Sequence, residues 1–504
     1  MNAPLRRVAV SALVLFALLI ANANYVQVFE GNKLRTDTGN TRVLLEEYER
    51  QRGAIVVGGK SVAESRPTND KLKYLRVYPG KDIYAPATGY YSVVYGATGM
   101  EQAENDILTG NDDRLFTRRL SDLLTGRDPR GGNVVLTLQP QAQQAAYQQL
   151  GGRRGAVVAL DPRSGAILAM ATSPSYDPTA LTTHDPVAIR KRYETLVDAE
   201  EEPMLNRAIN QRYPPGSTFK VVIAAAALEH GLKPDSLVDC PRTYTPPQTT
   251  RPLPNFNGET CGAARVTLND AFTHSFNTAF AKLAVEQLKE PAVREKAAAF
   301  GVDQTGFAMP LDVSASQVCD RRVDPPIGDG KCRIPDDPAL AQSAIGQRNV
   351  AITPLQGAMI AAAVANRGRL MKPHLVDQVQ ATDLSTLDRT EPEPFDRKLP
   401  EVISAEVAGQ LTSMMVSVVQ NGTGKAAQIP GVQVAGKTGT AQNGRGADHA
   451  WFMGFAPADN PTVAVAVVLE NAGGRSSEVT GGRAAAPIAA SVIKAALSAQ
   501  RGSG

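Results

Sequence analysis

The stretch that most restricts how this chain can fold is Tyr213-Pro214-Pro215-Gly216-Ser217-Thr218-Phe219-Lys220, followed at once by the apolar run Val221 to Leu228. Prolines are excluded from helix interiors but accepted at a helix start, and Gly216 permits a sharp bend, so a helix is predicted to begin beside Ser217. Phe219, Val221, Val222, Ile223, Ala224 to Ala227 and Leu228 leave it no polar face. A helix apolar all round is expected in the middle of a domain, covered on every side. Ser217 and Lys220 are three residues apart and share one face of its first turn. Burial there strips the lysine of water and lowers its pKa toward that of a usable base, with a candidate serine nucleophile beside it. The same pattern returns at Ser491-Val492-Ile493-Lys494. That copy lies in an Ala-rich terminal helix without the Pro-Pro-Gly entry, where Lys494 is expected to keep its ammonium in water. The four letters alone do not separate the two.

At 504 residues the chain has room for about three domains. A net charge of +3 with 20% charged residues gives no footprint for a nucleic-acid partner. Five scattered histidines without a His-Glu-x-x-His pair argue against a metal hydrolase, so neither a metal nor a cofactor is expected. The Gly-x-Ser-x-Gly, Gly-x-Gly-x-x-Gly and P-loop patterns are also missing. The four cysteines, Cys240, Cys261, Cys319 and Cys332, suit two disulfides if the chain is exported. Three pairings are possible. Cys240 with Cys261 and Cys319 with Cys332 is the favoured one, because each closes a short loop rich in Pro and Gly.

Export is signalled by Arg6 and Arg7 ahead of the apolar run Val8 to Ala21. Asn22 and Asn24 interrupt the run, and Ala21-Asn22-Ala23 resembles a cleavage site. The run resumes through Tyr25, Val26, Val28 and Phe29, as a retained membrane anchor would. The residues leave both readings open, and in either the rest of the chain lies outside the cytoplasm. Residues 30–132 are turn-rich with short alternating runs and read as a small, mostly β domain, ending in a linker at Gly126 to Gly132. Beyond it come a strand at Val134 to Leu138, a helix at Pro140 to Leu150, and a hairpin of Ala156 to Leu160 and Ala166 to Met170 around Asp161-Pro162-Arg163-Ser164-Gly165. Segment 234–264 reads as loop and Val266 to Leu288 as helix. Asp329-Gly330 reads as a solvated turn rather than a calcium loop. Asp383 to Pro400 marks an exposed excursion. Strands are expected at Val432 to Ala435 into Gly436-Lys437-Thr438-Gly439-Thr440, after a turn at Asn443 to Gly446 from Trp451 to Phe455, and at Thr462 to Leu469, with a closing helix from Ala484 to Gln500. Strands in succession between helices predict an α/β fold with a central antiparallel sheet and helices on both faces.

Ser217-x-x-Lys220, Ser275-x-Asn277 and Lys437-Thr438-Gly439 stand in one order, the motif set of penicillin-binding proteins and serine β-lactamases. Asn206-Arg207-Ala208 with the nucleophile stretch, Ala344-Ile345-Gly346-Gln347, Thr353-Pro354-Leu355-Gln356, Gly422-Thr423-Gly424 and Ala435 to Gln442 ending in Trp451 to Pro457 resemble penicillin-binding transpeptidases over about residues 133–495. Arg52-Gly53-Ala54-Ile55 resembles the box that opens the non-catalytic domain of class B members, although Val56-Val57-Gly58-Gly59 replaces the usual Asp-Arg-x-Gly continuation. The layout is similar to the short actinobacterial members of that class.

The resemblance implies an anchor and cytoplasmic stub in 1–29, retained in the membrane, a non-catalytic domain in 30–132 and a transpeptidase domain in 133–500, with the catalytic part extracytoplasmic. It implies a cell-wall and cell-division D,D-transpeptidase whose substrates are peptidoglycan stem peptides, which β-lactams acylate, and which works beside other cell-wall proteins. Ser217 would be the nucleophile and Lys220 its base, with Ser275 relaying a proton and Asn277 orienting Lys220 and the substrate. Lys437, Thr438 and Thr440 would hold the terminal carboxylate, and Gly439 would admit the substrate backbone. A D,D-carboxypeptidase or β-lactamase of the same fold and a membrane-tethered β-lactam sensor are the alternatives. His274 has no acid placed for a Ser-His pair and reads as packing, as does Trp451.

Overall fold

Five strands form the sheet beside which the apolar helix lies, in the order Ala435–Ala441, His449–Ala456, Val463–Leu469, Gly155–Leu160, Ile167–Ser173, with every neighbouring pair antiparallel. The computed structural model describes residues 2–30, 48–115, 130–304, 309–320, 332–442, 446–472 and 480–502. Most of the linker, the Asp329-Gly330 turn and residues 443–445 of the turn before Trp451 fall outside these. The period-2 pleat sorts the strands' side chains between two cores. Trp451, Met453, Phe455, Ala464, Ala466 and Val468 face one core together with the helices Lys220–Glu229 and Pro354–Ala365. Phe452, Val463, Val465, Val467, Val157 and Ala159 face the other with Pro140–Leu150 and Ala486–Gly502. Covering both faces is what lets these strands be apolar on both.

The predicted Lys220 helix is preceded by a turn of 3-10 helix, Gly216–Phe219, and every residue from Lys220 to Leu228 is buried. It packs against the helices Lys289–Ala299 and Ala405–Gln420. Thr353 caps the equally buried Pro354–Ala365 helix by accepting from the Gln356 N–H at 3.1 Å.

A second sheet has six strands, in the order Thr386–Arg389, Val376–Gln380, Asn133–Leu136, Ile55–Val57, Lys60–Pro67, Tyr74–Val77. Asn133–Leu136, from just after the expected linker, pairs in parallel with Ile55–Val57. The excursion after Asp383 supplies this sheet's edge strand and is still largely exposed. Beside the sheet, Arg52 and Arg76 each place Nε 2.7 Å from the fully buried Glu101 carboxylate, and Tyr78 donates to it at 3.0 Å. Burial opposes the charge on Glu101, but the two guanidinium groups hold its pKa below the ordinary value. Arg52 of the Arg-Gly box is therefore a buried ion-pair residue that pins the strand's start to the Gly99–Ala103 helix.

At the N-terminus, the helix Asn2–Tyr25 runs through both asparagines, and Asn24 donates its amide to the Ile20 carbonyl at 2.8 Å. Arg6–Tyr25 spans 20 residues with a mean hydropathy of 1.9 and is exposed throughout, long and apolar enough to cross a membrane. The structure joins Cys240 to Cys261 and Cys319 to Cys332.

Candidate active site

The turn that carries Ser217 is held from three sides. Gly216 has φ of +54°, its N–H donates to the Gly346 carbonyl at 2.9 Å, and a Cβ there would lie 2.5 Å from the Thr440 carbonyl oxygen. Only glycine meets both demands, which explains the residue before Ser217. The Trp451 indole is fully buried and donates to the Pro214 carbonyl at 3.0 Å, fixing the proline entry to the sheet. Behind it, Tyr213 donates to Glu470 at 2.7 Å, and Glu470 also takes Arg207 at 2.9 Å and Arg154 at 2.9 Å. Burial opposes the charge on Glu470, yet Tyr213, Arg207 and Arg154 keep its pKa below the ordinary value. In the sequence Arg207 is one letter of a motif, without a role of its own. The structure makes it a fully buried brace, also donating to the Glu202 and Glu201 carbonyls at 2.9 and 2.7 Å.

Lys220 is completely buried, and its Nζ has four oxygen neighbours. The Ser275 carbonyl and Asn277 Oδ1 lie nearest at 2.7 Å each, with Ser217 Oγ at 3.0 Å and Ser275 Oγ at 3.2 Å. A neutral amine has two N–H donors and one lone pair. The carbonyl and the amide oxygen can only accept, so in the neutral form they take the two N–H groups, and the lone pair is left for the Ser217 hydroxyl proton. Burial, and secondarily Lys437, push the Lys220 pKa well below that of an ordinary lysine. Lys437 is also fully buried, and burial pushes its pKa down to about 7. Its Nζ donates to Ser275 Oγ at 2.9 Å and to the Thr438 carbonyl at 3.2 Å. Ser275 thus bridges the two lysines.

The predicted helix from Val266 to Leu288 is broken where this bridge forms. It stops at Thr273, Ser275 takes φ of +63°, and a new helix starts at Asn277. The break turns both the carbonyl and the hydroxyl of Ser275 toward Lys220, at the cost of a left-handed conformation in a residue with a Cβ. Thr438, Gly439 and Thr440 lie on the edge strand of the central sheet, where Gly439 passes so near the turn that carries Ser217 that a Cβ would lie 2.6 Å from the Pro215 carbonyl. Thr423, a motif residue given no role from sequence, sits with its hydroxyl 2.5 Å from that of Thr438. A cleft of about 960 Å³ opens here, its walls including Ser217, Ser275, Asn277, Thr438 and Thr440. His274 is exposed on its wall, its ring centroid 5.7 Å from that of Phe276, and Trp451 is core.

This is a serine held against a buried lysine of lowered proton affinity, with hydroxyl and amide partners and a second buried lysine beside them, the equipment of an acyl-transferring enzyme. Comparison with known proteins agrees. Residues 155–494 match the penicillin binding protein transpeptidase domain, and residues 52–134 match the penicillin binding protein A dimerisation domain. The peptidoglycan D,D-transpeptidase PbpA of Mycolicibacterium smegmatis is 48% identical over 99% of both chains, and that of Mycobacterium tuberculosis is 45% identical over the same shares. Among solved structures, penicillin-binding protein A from M. tuberculosis as its ceftriaxone acyl-enzyme complex matches with a TM-score of 0.84 and 43% identity, over 90% of this chain and all of that one. Its penicillin G acyl-enzyme matches with 0.82 and 44%, over 89% of this chain and all of that one. The chain belongs to the class B penicillin-binding proteins, serine enzymes with the transpeptidase fold.

Proposed function

We propose that this chain is a peptidoglycan D,D-transpeptidase acting through a Ser217 acyl-enzyme. Ser217 Oγ attacks the carbonyl between the last two D-alanines of a donor stem while Lys220 Nζ takes its proton. The oxyanion rests on the backbone N–H groups of Ser217 and Thr440, each such donor being worth about 3 kcal/mol in related chemistry. Collapse breaks the C–N bond. The proton passes from Lys220 through Ser275 to the departing D-alanine amine, and Lys437, Thr438 and Thr440 hold that residue's carboxylate. An amine from a neighbouring stem then attacks the ester and releases Ser217, joining two stems. β-Lactams acylate the same serine and stay attached.

The observation that carries this reading is the Lys220 amine 3.0 Å from Ser217 Oγ with its N–H groups already engaged by Ser275 and Asn277. The sheet edge at Lys437 to Thr440 supports it, since an extended peptide can add there as a further strand. The N-terminal helix is read as a single-pass anchor that places the catalytic part outside the cytoplasm. Domain limits of 1–29, 30–132 and 133–500 and a role in division beside other wall-building proteins belong to the same proposal. Its test is labelling of the purified protein by a fluorescent penicillin, followed by the fate of the acyl group with a stem peptide and an amine. Label that Ser217→Ala abolishes, and product that carries the amine, supports the transpeptidase. Loss of label to water within seconds rejects it in favour of a β-lactamase. Release of D-alanine without amine incorporation identifies a carboxypeptidase, and a stable acyl-enzyme without any turnover of stem peptide identifies a sensor.

A further inference from the structure

The helix that starts at Asn277 has no cap of its own. The residue before it is Phe276, in the extended region and without a capping side-chain hydrogen bond. The first N–H groups of a helix need an acceptor, and a phenyl ring offers none. The acceptor comes instead from Asn255, a residue 22 positions upstream of Asn277 in segment 234–264. Asn255 is 3% exposed, and its Oδ1 accepts from the Thr278 N–H at 3.0 Å and from the Thr278 hydroxyl at 3.3 Å. Its amide nitrogen donates to the Glu259 carbonyl at 3.1 Å and contacts Cys261 Sγ at 3.6 Å.

The segment that carries Asn255 is a closed flap rather than a plain loop. Leu237–Asp239 pairs with Arg265–Thr267 at its base, Cys240 is bonded to Cys261 just beyond, and Thr243–Tyr244 pairs with Leu253–Pro254 further out. Cys240 Sγ lies 3.8 Å from the Thr278 hydroxyl, so the disulfide and Asn255 bear on the same residue. Asn255, Phe256, Asn257 and Glu259 form a wall of the cleft that holds Ser217.

We propose that Asn255 is a positioning residue for acylation: it caps in trans the helix that presents Asn277 to Lys220, and the Cys240–Cys261 bond holds it there. The inference rests on the active-serine reading above and adds to it a dependence on the oxidised flap. The two helix ends around Ser275 meet at a strained residue, so the second helix needs an outside anchor to keep Asn277 Oδ1 at 2.7 Å from Lys220.

The test is the second-order rate of acylation of the full-length, detergent-solubilised protein by a fluorescent penicillin, measured against pH. Asn255→Ala is expected to be about tenfold slower, the cost of a misplaced active-site group. Its pH midpoint should also fall, because Lys220 loses an acceptor that favours its charged form, while Lys437 still faces it. Asn255→Asp, which keeps the acceptor for Thr278 but loses the donor to the Glu259 carbonyl, should recover part of the rate. Replacing Cys240 and Cys261 together by Ala should slow acylation, and replacing Cys319 and Cys332 should not. Wild-type rate and midpoint in Asn255→Ala, a slow Asn255→Ala with an unmoved midpoint, an Asp variant as slow as Ala, or equal slowing by both cysteine pairs would each overturn the proposal. A wild type that takes no label would instead overturn the active-serine reading itself.

Discussion

Ser217-x-x-Lys220 and Ser491-x-x-Lys494 are the same pattern on helical segments of one chain, and they end in opposite states. Lys220 is buried among Ser217, Ser275 and Asn277, whereas Lys494 is exposed on the helix Ala486–Gly502. Ser217 stands at a helix start beside the sheet edge. Ser491 stands inside its helix and donates its hydroxyl to the Pro487 carbonyl at 3.0 Å, one turn back. Spacing puts a serine near a lysine in both. Reactivity needs more: an entry that frees the first turn, burial that weakens the lysine's hold on its proton, and neighbours that occupy its N–H groups.

The largest expected contrast is between the serines. Ser217→Ala should abolish labelling by a fluorescent penicillin and Ser491→Ala should leave it unchanged; label surviving on the first would end the comparison. Next come the lysines. Lys220→Met should slow acylation by about a thousandfold, with Lys494→Met at the wild-type rate. The same pair should diverge in stability. An unfolded lysine is protonated below its ordinary pKa of 10.5, and Lys220 in the fold has a depressed pKa, so the unfolded chain binds the extra proton between the two values. Folding stability therefore rises with pH across that window and is lost as pH falls through the folded pKa. Lys220→Met removes this penalty and should raise Tm at pH 7, while Lys494→Met leaves Tm where it is. A lower Tm for the first would mean that its hydrogen bonds outweigh its desolvation.

A smaller effect is expected at the entry, where Gly216→Ala meets both a positive φ and the Thr440 carbonyl, slowing acylation by about a hundredfold without loss of fold. An unchanged rate would mean that the entry tolerates a side chain. The finest probe is Lys437→Ala. With its pKa near 7, Lys437 carries charge mainly below neutrality, and only there does it repel a proton from Lys220. Its removal should raise the acidic midpoint of the acylation profile, and a midpoint that stays or falls would leave burial as the sole cause of the lowered Lys220 pKa.

Much of this was legible because it rests on local rules. The Pro-Pro-Gly entry, the all-apolar helix and the hairpin over Asp161 to Gly165 follow from proline and glycine geometry and from periodicity. Ser217, Lys220, Ser275, Asn277 and Lys437 were nameable as candidates because three motifs stand in one order. The break at Ser275 was not legible. Val266 to Leu288 has helical periodicity on both sides, and only contact with two buried lysines favours a left-handed serine between them. Arg207 and Thr423 belong to motifs, but their roles, like that of Asn255, were not legible, since the partners Glu470, Thr438 and Thr278 lie 263, 15 and 23 positions away.

By itself the sequence determined that a buried helix would begin at a serine and a lysine, with apolar strands on either side of it in the chain to build a two-faced sheet. Tertiary structure alone decided that Val376–Gln380 and Thr386–Arg389 would complete the N-terminal sheet, and which of two Ser-x-x-Lys pairs would be stripped of water. Propensity and patterning act over a turn or a strand, whereas the proton affinity of an amine depends on every dipole and charge within a few ångströms, whatever their place in the chain.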